Sequence, residues 1–378
     1  MESKRLLILS VSVGHGHARA AEALAAGVEQ WFPEHEARHI DLLTLTPALF
    51  RKAYKDMYLK LVQNHPEVWA YIYNHFDNSK AGGFFEKMRR KLESACNHQL
   101  RRVLGNYAPD YIICTHFMPQ QVLARWKRKK RISLPLWSCI TDFVAHRFWL
   151  EEGMDGYFTA TVENEWRMRQ RGLADANIYC SGIPVLPSFS PPAEPAAARR
   201  QAAGKFSLDP DKLCFLLMGG GAGIGDMQNL AGQIMGLPKG PQLVVLCGNN
   251  NKLLGQMRAM DYGTNLLPLG FTNEVAELLS LCDLVITKPG GLTTVECLAM
   301  GKPMLIYSPI PGQEEYNADY LLENRAALKA PDASGLMWRI ERLLREKGLL
   351  SELAANAAAL GKPDAARQIL ATVLGASQ

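Results

Sequence analysis

The chain has 378 residues, which is too many for one small hydrophobic core, so two domains are expected. Hydrophobic residues make up 48% and charged residues 21%, a composition typical of a globular protein and unlike that of a disordered or fibrous one. No apolar stretch approaches the ~20 residues of a transmembrane helix. The eight cysteines form no CxxC pair, which favours reduced thiols over disulfides or a zinc site.

The net charge of +5 conceals an uneven distribution. Residues 51–150 contain 18 Lys/Arg and 7 Asp/Glu, a net +11, whereas the rest of the chain carries −6. Aromatic and basic residues alternate over residues 48–104, and the run 125–131 places six positive charges around Trp126. From the residues alone, a solvated face whose aromatic side chains belong to the core ranks first. An anionic membrane surface ranks second and nucleic acid third.

The N-terminal residues predict a strand, a turn and a helix. Leu6 to Val13 is a buried strand, Gly14 to Gly16 a tight turn, and a helix begins at His17. The turn lacks the third glycine of the dinucleotide fingerprint and the lysine of a P-loop. Because a helix N-terminus disfavours the imidazolium, His17 is a candidate general base, the alternative being a polar turn residue. Ile40 to Leu45 predicts the second strand.

Polar residues follow two further predicted strands. Tyr111 to Cys114 is followed by Thr115-His116-Phe117, and Leu136 to Ile140 by Thr141-Asp142-Phe143. The carboxyl ends of parallel strands are where doubly wound sheets bind ligands, so these residues are site candidates. Beyond them, the proline- and alanine-rich residues 185–205 show no periodicity and predict an interdomain linker. The domains are then 1–184 and 206–362, and residues 363–378 form a helix that can pack back on the first domain.

The second half contains two glycine turns after apolar strands. Leu213 to Met218 leads into the cluster 219–225, which allows close approach to a phosphate but is equally compatible with a flexible loop. The stretch 283–317 predicts a strand, a turn at Pro289-Gly290-Gly291, a helix opened by Thr293 and Thr294, and a second strand. This order of elements is that of a βαβ unit. Free N–H groups and the positive helix end would bind phosphate there.

Several motifs taken together resemble one known family. They are Thr287 to Thr294 with Glu296, Pro311-Gly312-Gln313-Glu314, Gly14-His15-Gly16-His17, Thr141-Asp142-Phe143 with His146 and Trp149, and Ser181 to Val185 with Phe189. Over about residues 6–330 the chain resembles the monogalactosyldiacylglycerol synthase and processive diacylglycerol glucosyltransferase family. The resemblance implies the α/β GT-B fold, two doubly wound Rossmann-like domains facing across a cleft.

The resemblance also implies an activity. It is the inverting transfer of glucose or galactose from a UDP-sugar to the hydroxyl of 1,2-diacylglycerol. His17 aligns with the general base of the family, and Asp142 would orient that base or the acceptor. Closure of the two domains would belong to the mechanism. UDP-sugar is then a substrate, and no metal cofactor is expected because backbone and hydroxyl groups would stabilise the diphosphate.

The implied binding residues fall into a donor set and an acceptor set. The donor set is Gly221, Ala222, Gly223, Gly291, Thr293 and Thr294 for the diphosphate, Glu296 for the ribose, Phe271 and Thr272 for the uracil, and Gln313 and Glu314 for the hexose. The acceptor and membrane set is His15, Trp126, Lys127, Arg128, Lys129, Arg147 and Trp149. The partners are a UDP-hexose, diacylglycerol and an anionic membrane surface, at whose cytoplasmic face the protein would be peripheral; no nucleic acid is expected.

Two positions depart from the pattern of the family. His15 stands where relatives often have Gly or Asn, and Tyr316 stands where many have Gly, so the donor hexose stays open. Three alternatives remain: a UDP-N-acetylglucosamine-dependent transferase acting on a polyprenyl-linked lipid, a UDP-sugar 2-epimerase of the same fold, and a non-catalytic module that senses nucleotide sugars or binds RNA.

Overall fold

The computed structural model describes residues 2–13, 16–54, 56, 84–219, 226–238, 240–310 and 312–376. The chain divides into two compact units. The first unit comprises Met1–Pro187, Pro311–Gln313 and Asp364–Gln378, and the second comprises Ser188–Ile310 and Glu314–Pro363.

The described helices lie between and after the strands of two parallel sheets. In chain order they are α1 (Gly16–Trp31), α2 (Phe84–Tyr107), α3 (Phe117–Arg128), α4 (Val162–Gln170), α5 (Pro195–Phe206), α6 (Met227–Met235), α7 (Asn251–Arg258), α8 (Val275–Leu281), α9 (Gly291–Ala299), α10 (Gln313–Glu323), α11 (Ala333–Arg345), α12 (Leu349–Leu360) and α13 (Ala365–Leu374). Within the described ranges, no helix combines the length and apolarity needed to cross a membrane.

The first unit contains a six-stranded parallel sheet in the order β2-β1-β3-β4-β5-β6. Its strands are β1 (Arg5–Ser10), β2 (Glu36–Asp41), β3 (Tyr111–Cys114), β4 (Leu136–Cys139), β5 (Gly156–Phe158) and β6 (Ile178–Tyr179). Residues 6–9 of β1 are all 0% exposed, as expected of a strand covered by helices on both faces. The strand order reverses at β1 and β3, which marks the ligand-binding edge of such a sheet.

The position predicted for the second strand, Ile40 to Leu45, is wrong. The strand β2 ends at Asp41, whose carboxylate accepts hydrogen bonds from the backbone N–H of Leu43 (3.0 Å) and of Ser12 (3.1 Å). The following residues, Leu42–Leu45, form a 3₁₀ turn. The apolar side chains of Leu42 and Leu43 therefore pack into the core from a turn rather than from a strand.

The second unit contains a parallel sheet in the order β12-β11-β10-β7-β8-β9. Its strands are β7 (Cys214–Met218), β8 (Gln242–Leu246), β9 (Leu266–Leu269), β10 (Leu284–Thr287), β11 (Met304–Tyr307) and β12 (Ala327–Ala330). The order reverses between β7 and β10, so the glycine cluster after β7 and the Pro289 turn after β10 follow adjacent strands. The α/β, doubly wound fold class predicted from the sequence is confirmed.

The helix α13 is part of the core of the first unit. Its Ile369 and Leu370 join Leu24 and Val28 of α1 in one buried cluster. A Cβ built on Gly27 of α1 would lie 2.9 Å from Leu370 Cδ1, so glycine permits this close approach of the two helices. The helix that carries the candidate base in its first turn is thus held in place by residues from the other end of the numbered sequence.

The predicted linker at residues 185–205 is largely a helix of the second unit. The helix α5 begins with Pro195, which is favoured at a first helical position because its missing N–H has no helical acceptor to lose. The alanine-rich sequence that follows favours helix. Arg199 then bonds α5 to the sheet: its five N–H donors reach the Asp283 carboxylate and the carbonyls of residues 210, 212 and 281 at 2.6–3.0 Å.

We expect Arg199→Ala to lower the free energy of unfolding of the second unit by about 2–4 kcal/mol, because the Asp283 carboxylate and three carbonyls lose their donor. Arg200→Ala, on the exposed side of the same helix, is the matched control and should change it by less than about 0.5 kcal/mol. Urea unfolding followed by circular dichroism measures both. Equal stabilities of the two variants would contradict the role of Arg199.

Candidate active site

The candidate base of the first unit lies where three neighbouring strands end. His17 is in the first turn of α1, which follows β1, while Thr115 follows β3 and Thr141 follows β4. The Nδ1 atom of His17 is 3.0 Å from the Thr115 carbonyl oxygen and 2.7 Å from Thr141 Oγ1. Thr115 Oγ1 also donates a hydrogen bond to the His17 carbonyl at 2.8 Å. The residues that follow β3 and β4 therefore hold the ring from one side.

These contacts determine which nitrogen of His17 carries the proton. A carbonyl oxygen can only accept, so the bond to Thr115 requires a proton on Nδ1. In the neutral ring the lone pair is then on Nε2. The arrangement leaves Nε2 as the atom that can take a proton from an acceptor hydroxyl.

Burial keeps this imidazole neutral. Desolvation lowers the pKa of His17 from its ordinary 6.5 to about 4, and the hydrogen bond to Thr115 opposes this only in part. A second ring, His116, meets His17 edge to face with 4.5 Å between centroids. Burial and the neighbouring His17 lower the pKa of His116 well below its usual range. Both rings are therefore uncharged at neutral pH.

Asp142 is buried and directly follows Thr141 in the sequence, but its carboxylate bonds to a residue other than His17. Its Oδ2 accepts a hydrogen bond from Trp149 Nε1 at 2.9 Å, and burial raises the pKa of the Asp142 carboxyl to about 6 while that bond opposes the rise. Within the described residues, the atoms that orient His17 belong to Thr115 and Thr141. The structure therefore does not show Asp142 orienting the candidate base. The other predicted role of Asp142, orientation of the acceptor, stays a prediction.

Thr115, His116 and Thr141 lie at the sheet edge that the sequence predicts for the site, but no sequence pattern indicates that they hold the candidate base. The available signal was their position directly after the strands that flank β1. A hydroxyl and a carbonyl that fix the tautomer of a histidine some hundred residues away leave no local pattern in the sequence.

The second unit forms a helix N-terminus at the predicted phosphate position. The helix α9 begins at Gly291 with Gly290 as its N-cap and no capping side chain, so the predicted opening at Thr293 and Thr294 is two residues late. Thr293 is half-buried, and Thr294 is fully buried with an Oγ1 that has no hydrogen-bond partner among the described residues. Glu296 is 9% exposed, one turn inside the helix.

The turn before α9 is fastened to the start of α10. Asn317 Nδ2 donates to the Pro289 carbonyl at 2.8 Å, and Glu314 accepts from the Ile310 N–H at 2.7 Å. A Cβ on Gly290 would lie 3.6 Å from Glu314 Oε1. Burial raises the pKa of Glu314, and the Ile310 N–H and the charge of Lys288 oppose it. The predicted hexose residue Glu314 thus lies beside the predicted phosphate turn.

The remaining donor residues are placed as follows. Phe271 is 69% exposed, and the Thr272 hydroxyl accepts from the Glu274 N–H at 3.1 Å just before α8. Gln313, predicted to bind the hexose, belongs to the first of the two compact units and not to the second. The predicted residues His15, Gly221, Ala222 and Gly223 lie outside the described residues. No group of three or more His, Cys, Asp or Glu side chains in the described part of the chain could hold a metal ion.

The basic segment around Trp126 differs from its predicted role. Trp126 is 1% exposed and donates from Nε1 to Glu93 at 3.1 Å, so the expectation that it contacts a membrane surface is wrong. Trp149 is also 1% exposed, and its part in binding the acceptor stays a prediction. Lys127 pairs with Asp155, and Arg128 with Glu151 at 3.1 Å. Lys129 and Arg147 are exposed.

Comparisons with known proteins cover the whole chain. The family model of monogalactosyldiacylglycerol synthase matches residues 17–185, and that of group 1 glycosyl transferases matches residues 231–360. The processive diacylglycerol beta-glucosyltransferase of Bacillus subtilis is 28% identical over 100% of this chain and 96% of its own length. That of Bacillus licheniformis is 26% identical over the same shares. The family resemblance predicted from the motifs is confirmed.

Solved structures support the fold class. MurG of Acinetobacter baumannii has a TM-score of 0.61 at 17% identity, covering 98% of this chain and 99% of its own. The UDP-GlcNAc 2-epimerase of Neisseria meningitidis, bound to UDP-GlcNAc, also has a TM-score of 0.61, at 14% identity and with 98% and 100% covered. At these identities the likeness shows the fold alone, the α/β GT-B class.

The low pKa of His17 makes stability depend on pH. Between pH 6.5 and about 4 the unfolded chain takes up a proton at His17 that the folded protein does not, so acid favours unfolding. We expect the free energy of unfolding of the wild type to fall about 2 kcal/mol further between pH 7 and pH 5 than that of His17→Gln. Urea titrations at both pH values measure this. His98→Gln, at an exposed site on α2, should behave as the wild type. Parallel pH dependence in wild type and His17→Gln would refute the assignment.

Proposed function

We propose that this chain, which resembles the monogalactosyldiacylglycerol synthase and processive diacylglycerol glucosyltransferase family, transfers a hexose from a UDP-sugar to the hydroxyl of 1,2-diacylglycerol. The observation that carries the proposal is the tautomer of His17. Its Nδ1–H is bound by the Thr115 carbonyl, which leaves Nε2 as a neutral base.

The proposed reaction is a single displacement with inversion. The acceptor hydroxyl gives its proton to His17 Nε2 as its oxygen bonds to C1 of the hexose, while the bond from C1 to the diphosphate breaks and UDP leaves. The resulting imidazolium keeps its Nδ1–H on the Thr115 carbonyl, whose partial negative charge stabilises the cation, with Thr141 Oγ1 as a second contact. A base of this kind contributes roughly 10²–10⁴-fold to the rate.

The second unit would hold the donor. The uncapped N–H groups of Gly291 and the next residues, with the positive end of α9, suit a diphosphate leaving group. The Thr294 hydroxyl, which has no hydrogen-bond partner in the described part of the chain, offers a donor at the same helix end. Glu296 would accept from the ribose hydroxyls, and Glu314 from the hexose. In this scheme the leaving group needs no metal cofactor.

The acceptor places the proposed reaction at a membrane. Exposed basic residues lie on α2 and just after α3: Arg101, Arg102, Lys129, Lys130 and Arg131. Such residues attract a surface of anionic lipid. The eight cysteines are all free thiols, which suits a reducing compartment. We therefore place the protein peripherally at the cytoplasmic face of a membrane, with an anionic bilayer and no nucleic acid as its partner.

Incubation with labelled UDP-glucose or UDP-galactose and diacylglycerol in anionic vesicles tests the proposal. We expect a glycolipid from one of the two donors, and a decrease in kcat of at least about 10²-fold in His17→Ala. Thr141→Val keeps the volume of the side chain, removes one contact to Nδ1 and should lower kcat by about tenfold. His98→Ala is the control.

Either of two results would contradict this proposal. One is a complete lack of glycolipid with both donors and diacylglycerol. The other is full activity in His17→Ala, which would leave the family assignment intact and remove His17 as the base.

A second pair of variants tests the ribose end and the hexose end of the proposed donor site separately. Glu296→Gln should raise KM for the UDP-sugar and the inhibition constant of UDP by about the same factor, roughly tenfold, because both ligands carry the ribose. Glu314→Gln should raise only the KM for the UDP-sugar. Glu341→Gln, exposed on α11, is the control. Unchanged UDP inhibition in Glu296→Gln would show that Glu296 does not bind the ribose.

A further inference from the structure

The segment between β4 and β5 carries two residues of the predicted site, Asp142 and Trp149. Its regular structure is a 3₁₀ turn at Arg147–Trp149. Asp142 is 5% exposed and Trp149 is 1% exposed, so both are buried although this segment lies outside the sheet. A buried backbone carbonyl in such a segment needs a donor from elsewhere in the chain, because leaving it unpaired costs free energy.

The donor for the Trp149 carbonyl is Gln120 of α3. Its Nε2 donates to the Trp149 carbonyl oxygen at 2.7 Å, and its Oε1 is 2.6 Å from the hydroxyl of Ser138 on β4. Gln120 and Ser138 are both 0% exposed. Because a carbonyl oxygen can only accept, the NH₂ end of the Gln120 amide must face Trp149, and Ser138 must donate to Oε1. The amide is therefore fixed in one orientation.

The indole of Trp149 connects this anchor with the site. Its Nε1 donates to Asp142 Oδ2 at 2.9 Å, and its ring lies against those of His17 and Phe117, with 6.3 and 6.1 Å between centroids. Asp142 and the candidate base therefore both border the same indole. A carboxylate has about four lone-pair sites, so the bond from Trp149 leaves capacity for a further donor such as an acceptor hydroxyl.

We propose that Gln120 is a positioning residue for the acceptor. It holds the Trp149 carbonyl so that the indole N–H fixes the Asp142 carboxylate, and this carboxylate orients the lipid hydroxyl toward His17 Nε2. This role rests on the proposed function, because it takes the same acceptor and the same base.

The chemistry of the chain of contacts explains why a glutamine is needed. Orientation of a hydroxyl by a hydrogen bond requires that the accepting oxygen stay close to one position. Leucine at position 120 would fill a similar volume but leave the Trp149 carbonyl and the Ser138 hydroxyl without this partner. The turn would then move to find another donor, and the indole would move away from Asp142.

The protonation of Asp142 reports the position of the indole. Burial raises the pKa of the Asp142 carboxyl to about 6, and the bond from Trp149 opposes the rise. Loss of that bond therefore raises the pKa further. His17 and His116, the titratable groups whose rings lie against the indole, have pKa values of about 4 and well below the usual range. A titration near pH 6 is thus specific to Asp142.

Proton–nitrogen NMR of the indole N–H groups tests the contact without any substrate. The signal of Trp149, one of seven tryptophans, is assigned by its loss in Trp149→Phe. In the wild type we expect it to shift with a midpoint near pH 6, and not to shift in Asp142→Asn. In Gln120→Leu the midpoint should rise by about half a unit to one unit. Ser138→Ala, a smaller change, should raise it by less.

Kinetics with diacylglycerol and a UDP-sugar test the role in the reaction. Gln120→Leu should lower kcat/KM for diacylglycerol about tenfold while KM for the UDP-sugar stays as in the wild type. The loss of activity on acidification should move to higher pH by the same amount as the NMR midpoint, because the proposed orientation requires the ionised carboxylate.

Gln242→Leu is the matched control for loss of a buried glutamine. Gln242 is 2% exposed on β8 of the second unit, and its amide bonds the N–H and the carbonyl of Asp209, both at 2.8 Å. Its replacement removes two hydrogen bonds, as Gln120→Leu does, but should leave the Trp149 signal and the acceptor kinetics as in the wild type.

Three results would overturn the role of Gln120. They are an unchanged Trp149 midpoint in both Gln120→Leu and Ser138→Ala, an equal change in Gln242→Leu, and a wild-type kcat/KM for diacylglycerol in Gln120→Leu. If the wild type transfers no hexose to diacylglycerol, the proposed function fails, and the NMR midpoints still decide whether Gln120 fixes Trp149 on Asp142.

Discussion

The hydrogen bond between His17 Nδ1 and the Thr115 carbonyl is the constraint on which the first unit depends. It exists because β1 and β3 are neighbours in a fixed register, with Leu9 opposite Cys114 and the Thr115 N–H bonded to the Leu9 carbonyl at 3.0 Å. A shift of one residue in that register would turn every side chain of the strand to the other face of the sheet. Because Leu6 to Leu9 are packed on both faces of the sheet, such a shift would disrupt the packing of the core, so the side chains that form the core also position the candidate base.

Both units hold polar groups in arrangements that are unfavourable to the free energy of folding. The first unit buries the His116 imidazole and the Asp142 carboxyl and half-buries the His17 imidazole, and all three lose hydration. The second unit buries Thr294 Oγ1 and Asn317 Oδ1 with no partner among the described residues, at a cost of about 1–3 kcal/mol for each such group. These groups follow β1, β3 and β4 in the first unit and β10 and β11 in the second, so in each unit they lie beyond the carboxyl ends of neighbouring strands. Concentration of unfavourable polar groups at one edge is the pattern expected where a ligand completes the hydrogen bonding.

The sequence predicted those parts of the fold that depend on local pattern. Continuous apolar runs such as Leu6 to Leu9 identified the buried strands, and the Pro289-Gly290-Gly291 break identified the turn before α9, because both signals lie within a few residues. Long-range contacts decided the rest. Trp126 looked like a surface anchor because its immediate neighbours are basic, but Glu93, 33 residues earlier, supplies the acceptor that lets the indole be buried. Arg199 similarly turns a proline-rich segment into a docked helix through carbonyls and a carboxylate up to 84 residues away.

The helix α13 gives the first unit an unusual order of assembly. The ribosome makes β1 and α1 first, then the whole second unit, and only afterwards the residues of α13 that complete the cluster around Leu24 and Val28. During synthesis the part of α1 that packs on α13 therefore has no cover while the second unit can already fold. The helix α1, which carries His17 in its first turn, acquires its full packing only when residue 374 has been added, so a nascent chain that stops earlier can hold the complete sheet of the second unit without a finished support for the proposed base.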